Sequence, residues 1–69
     1  MMKLSARNQF QGKVVEIKEG AVNATVKIEI TKDIVISSTI SMEAVKELGL
    51  KVGSEATAVI KATSVMIMA

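Results

Sequence analysis

The feature that most constrains this chain is a strict alternation of apolar and polar residues near its centre. From Val22 to Ile30, every second residue is apolar and each intervening residue is polar or charged. Successive side chains of an extended strand point to opposite faces, so this run predicts a half-buried β-strand. The apolar positions of the run are Val22, Ala24, Val26, Ile28 and Ile30.

Strands with the same period are predicted before and after this run. Gly12–Lys18 precedes it, with Val15 and Ile17 directed inward, and Glu19-Gly20 marks the turn of a hairpin. Lys32-Asp33 breaks the pattern, and a third strand is predicted over residues 34–40. Two more strands are predicted at residues 56–61 and 65–68, with a short break at residues 62–64.

A change of period after the third strand predicts one short helix. Met42, Val45 and Leu48 recur at helical spacing. Ser41 suits the N-cap position, and Gly49 can adopt the left-handed conformation that ends a helix. Five strands with a helix between the third and fourth predict an all-β, five-stranded OB-like Greek-key barrel, as one domain over residues 1–69. A small SH3-like barrel and a swapped-hairpin dimer are the alternatives.

The size of the chain indicates that it associates with other subunits. A lone domain of 69 residues buries only about 60% of the surface that its unfolded chain exposes. Cysteine and histidine are absent, so neither disulfides nor ordinary zinc sites can supply the missing stability. Hydrophobic residues nevertheless make up 49% of the chain, and we expect part of this apolar surface to lie between subunits.

Composition argues against several classes of function. Phe10 is the only aromatic residue, whereas single-strand nucleic-acid binding relies on aromatic side chains that stack bases. A net charge of +2 is too small to indicate nucleic-acid binding by itself. No apolar run approaches the ~18 residues of a membrane span, and the N-terminus lacks the apolar core of a signal peptide, so we expect no membrane partner and a cytoplasmic location.

Catalysis and metal coordination also lack the residues that they need. Without His or Cys there is no usual activated nucleophile, the acids are scattered over polar faces, and no carboxylates stand at ligand spacing. We therefore predict that the protein is not an enzyme. The five methionines do not indicate copper, because Met1 and Met2 are terminal and Met42 fits the helix core face, while Met66 and Met68 are assigned to core or interface packing.

What the chain does supply is hydrogen-bond donors, grouped near its ends and before the helix. Hydroxyls, cationic side chains and backbone N–H groups are what an oxyanion requires. Ordinary turn and cap chemistry, with Arg7 in a surface ion pair, is the alternative explanation. The donors are Ser5, Arg7, Asn8, Ser37, Ser38, Thr39, Ser41, Lys61, Thr63 and Ser64.

The opening run Ser5-Ala6-Arg7-Asn8-Gln9, followed by Gly12-Lys13-Val14-Val15, resembles the molbindins, a family of small molybdate-binding proteins also called molybdenum–pterin-binding proteins. The resemblance continues to Ala58-Val59-Ile60-Lys61 and Val65-Met66-Ile67-Met68-Ala69, so it covers essentially the whole chain. It implies an OB-like barrel assembled as a homohexamer, a trimer of dimers, that binds molybdate or tungstate between subunits. It implies intracellular molybdenum storage or buffering, and leaves open whether a pterin is bound.

The resemblance also implies which residues contact the anion. In the family the serine and arginine of the opening motif do so, which here are Ser5 and Arg7, and the backbone N–H groups of Ala6 and Asn8 add donors. The lysine of the C-terminal motif corresponds to Lys61.

One position departs from the family pattern. A small hydroxyl residue commonly follows the lysine, but this chain has Ala62, which leaves its N–H and the neighbouring Thr63 as substitutes. Ser41 is expected to come from a neighbouring subunit. A second anion site near the three-fold axis, formed by backbone, is assigned to Gly20, Ala21 and Val22. A small barrel that serves as a protein-interaction or nucleic-acid-binding module remains the alternative function.

Overall fold

The computed structural model of the chain describes residues 5–69. Within this range the chain forms β1 (Asn8–Glu19), β2 (Asn23–Thr31), β3 (Ile34–Ser41), α1 (Met42–Leu48) and β4 (Glu55–Ile60), followed by one 3₁₀ turn (Ala62–Ser64). The four strands make a single antiparallel sheet in the order β3-β2-β1-β4, which coils into an open half-barrel. The mostly-β class, the hairpin between β1 and β2, and the helix after β3 are therefore confirmed.

The strand β1 is longer than predicted, because it begins at Asn8 and not at Gly12. Its first half, Asn8 to Lys13, pairs with β4, and its second half, Lys13 to Glu19, pairs with β2. Gly12 lies where these two pairings meet, and a Cβ atom there would overlap the backbone carbonyl oxygen of Glu29 on β2. The sheet can coil this tightly only because this position carries no side chain.

A β-bulge in β1 changes which of its side chains face the core. Val14 pairs with Ile28 and Glu16 pairs with Lys27, so the register shifts at Val15. Val14 is 1% exposed, whereas Val15 is 42% exposed. The prediction that Val15 points inward is therefore wrong, because Val15 is the extra residue of the bulge: Val14 faces the core before it and Ile17, as predicted, packs against the core after it.

The core lies on the concave side of the sheet, under the helix. Val26 and Val14 are almost completely buried at its centre, and Val45 covers them from α1. Val22 is 73% exposed because it lies in the turn before β2, so the buried face begins one apolar residue later than predicted. The buried core residues are Val14, Ala24, Val26, Ile28, Val45 and Ala58.

The helix α1 has the ends that the sequence predicts. The Ser41 Oγ accepts a hydrogen bond from the Ala44 backbone N–H at 3.0 Å, which is an N-cap contact. Gly49 ends the helix in the left-handed conformation, with φ 64°. The apolar face of α1 is narrower than expected, because Val45 is buried but Leu48 remains 68% exposed.

The predicted fifth strand is absent from the described part of the chain. After β4 the backbone makes a 3₁₀ turn, and residues 65–69 pair with no strand of the sheet. Met66, Ile67 and Met68 are each more than 90% exposed, so the two methionines do not pack in the core of a single chain. A strand forms only where a neighbouring edge satisfies its backbone groups, and this segment has no such neighbour within residues 5–69.

The role of Gly12 gives a stability prediction. Gly12→Ala should lower the free energy of unfolding by about 1–3 kcal/mol, because the new methyl group must displace the β2 backbone. Urea unfolding at one fixed protein concentration measures this, with the exposed neighbour Gln11→Ala as control. An unchanged or raised midpoint for Gly12→Ala would contradict the steric argument.

Candidate functional site

The first residues of β1 and the last residues of β4 lie side by side. The terminal pair of the β1–β4 ladder joins Asn8 and Ile60, and the pairing runs without a shift from there to Lys13 and Glu55. One residue beyond the terminal pair, the two chain segments carry Arg7 and Lys61. The structure therefore brings together two cationic residues that are far apart in the sequence.

Two side-chain amides hold this end of the ladder. The Asn8 Nδ2 donates to the Ile60 carbonyl oxygen at 3.2 Å, across the two strands. The Gln9 Nε2 donates to the Ala6 carbonyl oxygen at 3.1 Å, within the segment that leads into β1. Asn8 is half-buried and Gln9 is exposed. The Ala6–Arg7 peptide group is thus bonded to a regular strand although it precedes it.

The charges at this end of the sheet have no acidic partners. All seven Asp and Glu residues lie between positions 16 and 55 of the sequence. Within residues 5–69 the one ion pair joins Lys27 Nζ to Glu16 Oε1 at 3.8 Å, on the outer face of β1 and β2. Because Arg7 and Lys61 each lie one residue beyond the same terminal pair, the two strands together offer an anion two positive charges.

The 3₁₀ turn after β4 adds backbone groups beside Lys61. The Lys61 carbonyl oxygen accepts from the Ser64 N–H at 2.9 Å, and the Ala62 carbonyl oxygen accepts from the Val65 N–H at 3.2 Å. The N–H groups of Ala62 and Thr63 open this turn and have no partners inside it, as at the start of any helical turn. Thr63 is exposed, so its hydroxyl lies at the surface of the single chain.

Ser41 and the glycine turn lie at the opposite end of β1. Ser41 pairs with Asn23 at the start of β2, and the Met42 N–H donates to the Val22 carbonyl oxygen at 2.8 Å. The structure therefore places Ser41 next to the Gly20–Val22 turn and not next to Arg7 of the same chain. The Gly20 N–H donates to the Asn23 carbonyl oxygen at 2.8 Å, which leaves the N–H groups of Ala21 and Val22 as the backbone donors of that turn.

The hydroxyl of Ser41 can serve two partners at once. Its oxygen accepts from the Ala44 N–H as the helix cap. Because a hydroxyl group is a donor as well as an acceptor, the Ser41 O–H remains available to a ligand.

An apolar cleft of about 850 Å³ opens between the two edge strands, β3 and β4. Its floor is the concave face of β2, and Leu48 and Leu50 line one end. The sequence did not predict this cleft, because it exists only where the predicted fifth strand is absent. The residues on its floor and walls include Val26, Ile28, Ile36, Ser38, Ile40, Ala56, Ala58 and Ile60.

The sequence interpretation also missed how Asn8 and Gln9 are used. It assigned a backbone N–H to Asn8 and no function to Gln9, whereas both side chains hold the segment that carries Arg7. Two adjacent amides directly after an arginine were the signal in the sequence that could have indicated this.

Within residues 5–69 no group of three or more acidic side chains could hold a metal ion, and no helix is long and apolar enough to cross a bilayer. The groups that Arg7, Lys61 and the 3₁₀ turn present at this end of the sheet are hydrogen-bond donors.

One family model and one relative of similar length match almost the whole of this chain. The TOBE domain model matches residues 4–67. A probable molybdenum-pterin-binding protein of Haemophilus influenzae is 64% identical over 66 residues, which cover 96% of each chain.

Two solved structures share the fold at similar levels. MopII from Clostridium pasteurianum, in an apo form, superposes with a TM-score of 0.90 at 54% identity, covering 97% of this chain and all of that one. The cytoplasmic molybdate-binding protein ModG, with molybdate bound, superposes with a TM-score of 0.90 at 49% identity, covering 94% of this chain and 46% of ModG. The chain belongs to the TOBE domain family and, within it, to the molbindins, the molybdenum-pterin-binding proteins.

Proposed function

We propose that this protein binds molybdate or tungstate and serves in the storage, buffering or homeostasis of molybdenum in the cytoplasm. The observation that carries the proposal is the juxtaposition of Arg7 and Lys61, neither of which forms an ion pair within residues 5–69. The relatives add support, because ModG is described as a cytoplasmic protein and its structure contains molybdate. The proposed activity is binding and not catalysis.

The donor set matches the chemistry of this ligand. Molybdate is a tetrahedral dianion whose metal is already saturated by oxygen, so the protein meets only acceptor atoms and needs no His or Cys ligand. Two cations can offset its charge, and hydroxyl and backbone N–H groups can occupy the remaining acceptors. We propose that Ser5, Arg7 and Lys61 are the side-chain donors of one subunit, with N–H groups from Ala6, Asn8, Ala62 and Thr63.

The same donor set predicts which oxyanions are rejected. Phosphate near neutral pH retains a proton that needs an acceptor, and a buried donor without a partner costs about 1–3 kcal/mol. Sulfate carries no proton, so only its smaller size can exclude it. Tungstate is nearly the same size as molybdate and should bind as well.

We propose that the free oxyanion is the ligand, and not a molybdenum–pterin. A pterin is a flat ring system, and flat rings in proteins are commonly held by aromatic side chains. The sequence has one aromatic residue, Phe10, which lies on β1 opposite Ala58 and not beside Arg7 and Lys61. The pterin in the name of the Haemophilus influenzae relative is therefore not carried over to this chain.

Self-association would complete both the fold and the site. The cleft between β3 and β4 is apolar and is bordered by two strand edges, while Val65–Met68 is an exposed apolar segment. We propose that this segment of one subunit enters the cleft of another as the fifth strand of the barrel, with its N–H and C=O groups paired on both sides. This exchange would bury three side chains that are each more than 90% exposed in the single chain.

We further propose the homohexamer, a trimer of dimers, that the family resemblance implies. Ser41 lies at the far end of β1 from Arg7, so it can join the same anion only if it belongs to a neighbouring subunit. The Gly20–Val22 turn next to Ser41 is the proposed second anion site. Residues 1–69 act as one binding domain in this assembly.

Isothermal titration calorimetry tests the choice of ligand. Molybdate and tungstate should bind with similar affinities, sulfate more weakly, and phosphate weakest. A single-stranded oligonucleotide at moderate salt concentration is the control for the alternative function. Equal affinities for sulfate and molybdate would refute the size argument, and binding of the oligonucleotide alone would refute the oxyanion proposal.

Substitution of Arg7 and of Lys61 tests whether these two residues bind the anion. Arg7→Ala and Lys61→Ala should each weaken molybdate binding at least about thirtyfold, or about 2 kcal/mol, because a bound dianion loses a charged partner. Lys13→Ala is the matched control, since Lys13 is a β1 cation on the outer face opposite Glu29. Arg7 and Lys61 are excluded from the site if all three variants bind equally.

Sedimentation tests the assembly. The wild-type protein should sediment at about six times the 7.3 kDa mass of one chain. Ile67→Asp should shift the distribution to smaller species, because a carboxylate cannot enter an apolar cleft without a large desolvation cost. Val52→Asp, which alters another exposed apolar side chain outside the cleft, should leave the assembly intact. A monomeric wild-type protein at micromolar concentration would contradict the interface model.

A further inference from the structure

The two side-chain amides at the start of β1 act on the two peptide groups that lead into the cations. Gln9 donates to the carbonyl oxygen of Ala6, which belongs to the planar peptide group that contains the Arg7 nitrogen. Asn8 donates to the carbonyl oxygen of Ile60, which belongs to the peptide group that contains the Lys61 nitrogen. A bond to each carbonyl therefore fixes the orientation of the backbone at both Arg7 and Lys61.

This end of the sheet needs such a restraint. Arg7 lies just outside β1 and Lys61 lies just outside β4, so neither belongs to the regular ladder. Both cations are exposed, and neither forms an ion pair within residues 5–69. Without additional bonds, the last pair of the ladder would open easily and the two cations would separate.

We propose that Asn8 and Gln9 are positioning residues that hold Arg7 and Lys61 together before the anion binds. This inference rests on the proposed oxyanion site and adds to it the origin of its selectivity. A site held at a set spacing cannot contract around a smaller anion, whereas a loosened site can. The Asn8 and Gln9 amides thus favour the larger molybdate over sulfate without contact between either amide and the ligand.

The matched variants are Gln9→Met and Gln11→Met. Gln9 and Gln11 are exposed residues on the same face of β1, opposite Val59 and Thr57 of β4. Within residues 5–69 the Gln9 side chain makes a hydrogen bond and the Gln11 side chain makes none. Methionine keeps the length of glutamine and removes the donor. Because Gln9 also borders the cleft between β3 and β4 and Gln11 does not, sedimentation must first show that both variants assemble like the wild-type protein. Asn8→Leu tests the second bond in the same way.

We expect Gln9→Met to weaken molybdate binding about fivefold, the amount that corresponds to one hydrogen bond of about 1 kcal/mol. Sulfate binding should weaken less, so the ratio of the two affinities falls. In the ligand-free protein, NMR-detected amide exchange at Arg7 should accelerate in Gln9→Met, and exchange at Lys61 should accelerate in Asn8→Leu. The urea midpoint of Gln9→Met can fall by an amount that corresponds to the same hydrogen bond, so the ratio of the two affinities, and not the midpoint, distinguishes positioning from stabilisation.

Equal molybdate affinities and equal affinity ratios for Gln9→Met and Gln11→Met would overturn the proposal. A lowered urea midpoint for Gln9→Met with an unchanged affinity ratio would also overturn it, because the amide would then only stabilise the strand. If the wild-type protein binds no oxyanion, the proposed function fails, while the amide-exchange measurement still decides whether the two amides restrain Arg7 and Lys61.

Discussion

The fold depends on the way in which β1 pairs with two different strands. Its first half is bonded to β4 and its second half to β2, and Gly12 lies at the crossing where a side chain would overlap the Glu29 backbone. This arrangement coils the sheet and buries Val14 and Val26 on its concave side. It also places the proposed binding residues at opposite ends of β1, with Arg7 and Lys61 at one end and the Ser41–Gly20 region at the other. The proposed binding residues are therefore distributed by the same pairing that forms the core.

Electrostatics and assembly act together in the proposed function. A single chain places Arg7 and Lys61 one residue beyond the same terminal strand pair, and neither forms an ion pair within residues 5–69. It also exposes Met66, Ile67 and Met68 next to an unfilled apolar cleft. Both features become favourable when subunits associate around an anion, because burial strengthens the attraction between the cations and the ligand and covers the apolar segment. The stability of this small domain and its affinity for the anion are thus linked.

Local sequence signals predicted most of the secondary structure. Alternation located β2 and β3, and Ser41 and Gly49 located the ends of α1, because strand periodicity and helix caps depend on neighbouring residues. Two predictions were wrong because the structure at these positions depends on strand pairing and not on neighbouring residues in the sequence. Val15 was assigned to the core because a bulge in β1 cannot be read from alternation alone, and residues 65–68 were assigned to a strand because their pattern is apolar and extended. In the second case the segment pairs with no strand within residues 5–69, so its apolar pattern alone does not make it a strand.

For the candidate site, the sequence by itself determined the chemistry. The absence of His and Cys, the single aromatic residue and the confinement of acids to positions 16–55 restrict the ends of the chain to donor groups. The motif that begins at Ser5 indicated which of these donors to consider. Only the tertiary structure decided which of them are neighbours, because the register of β1 against β4 places Arg7 beside Lys61 and keeps Ser41 away from both. The register of β1 against β4 results from backbone pairing between residues that are 42 to 52 positions apart, from Lys13–Glu55 to Asn8–Ile60, and this pairing leaves no local pattern in the sequence.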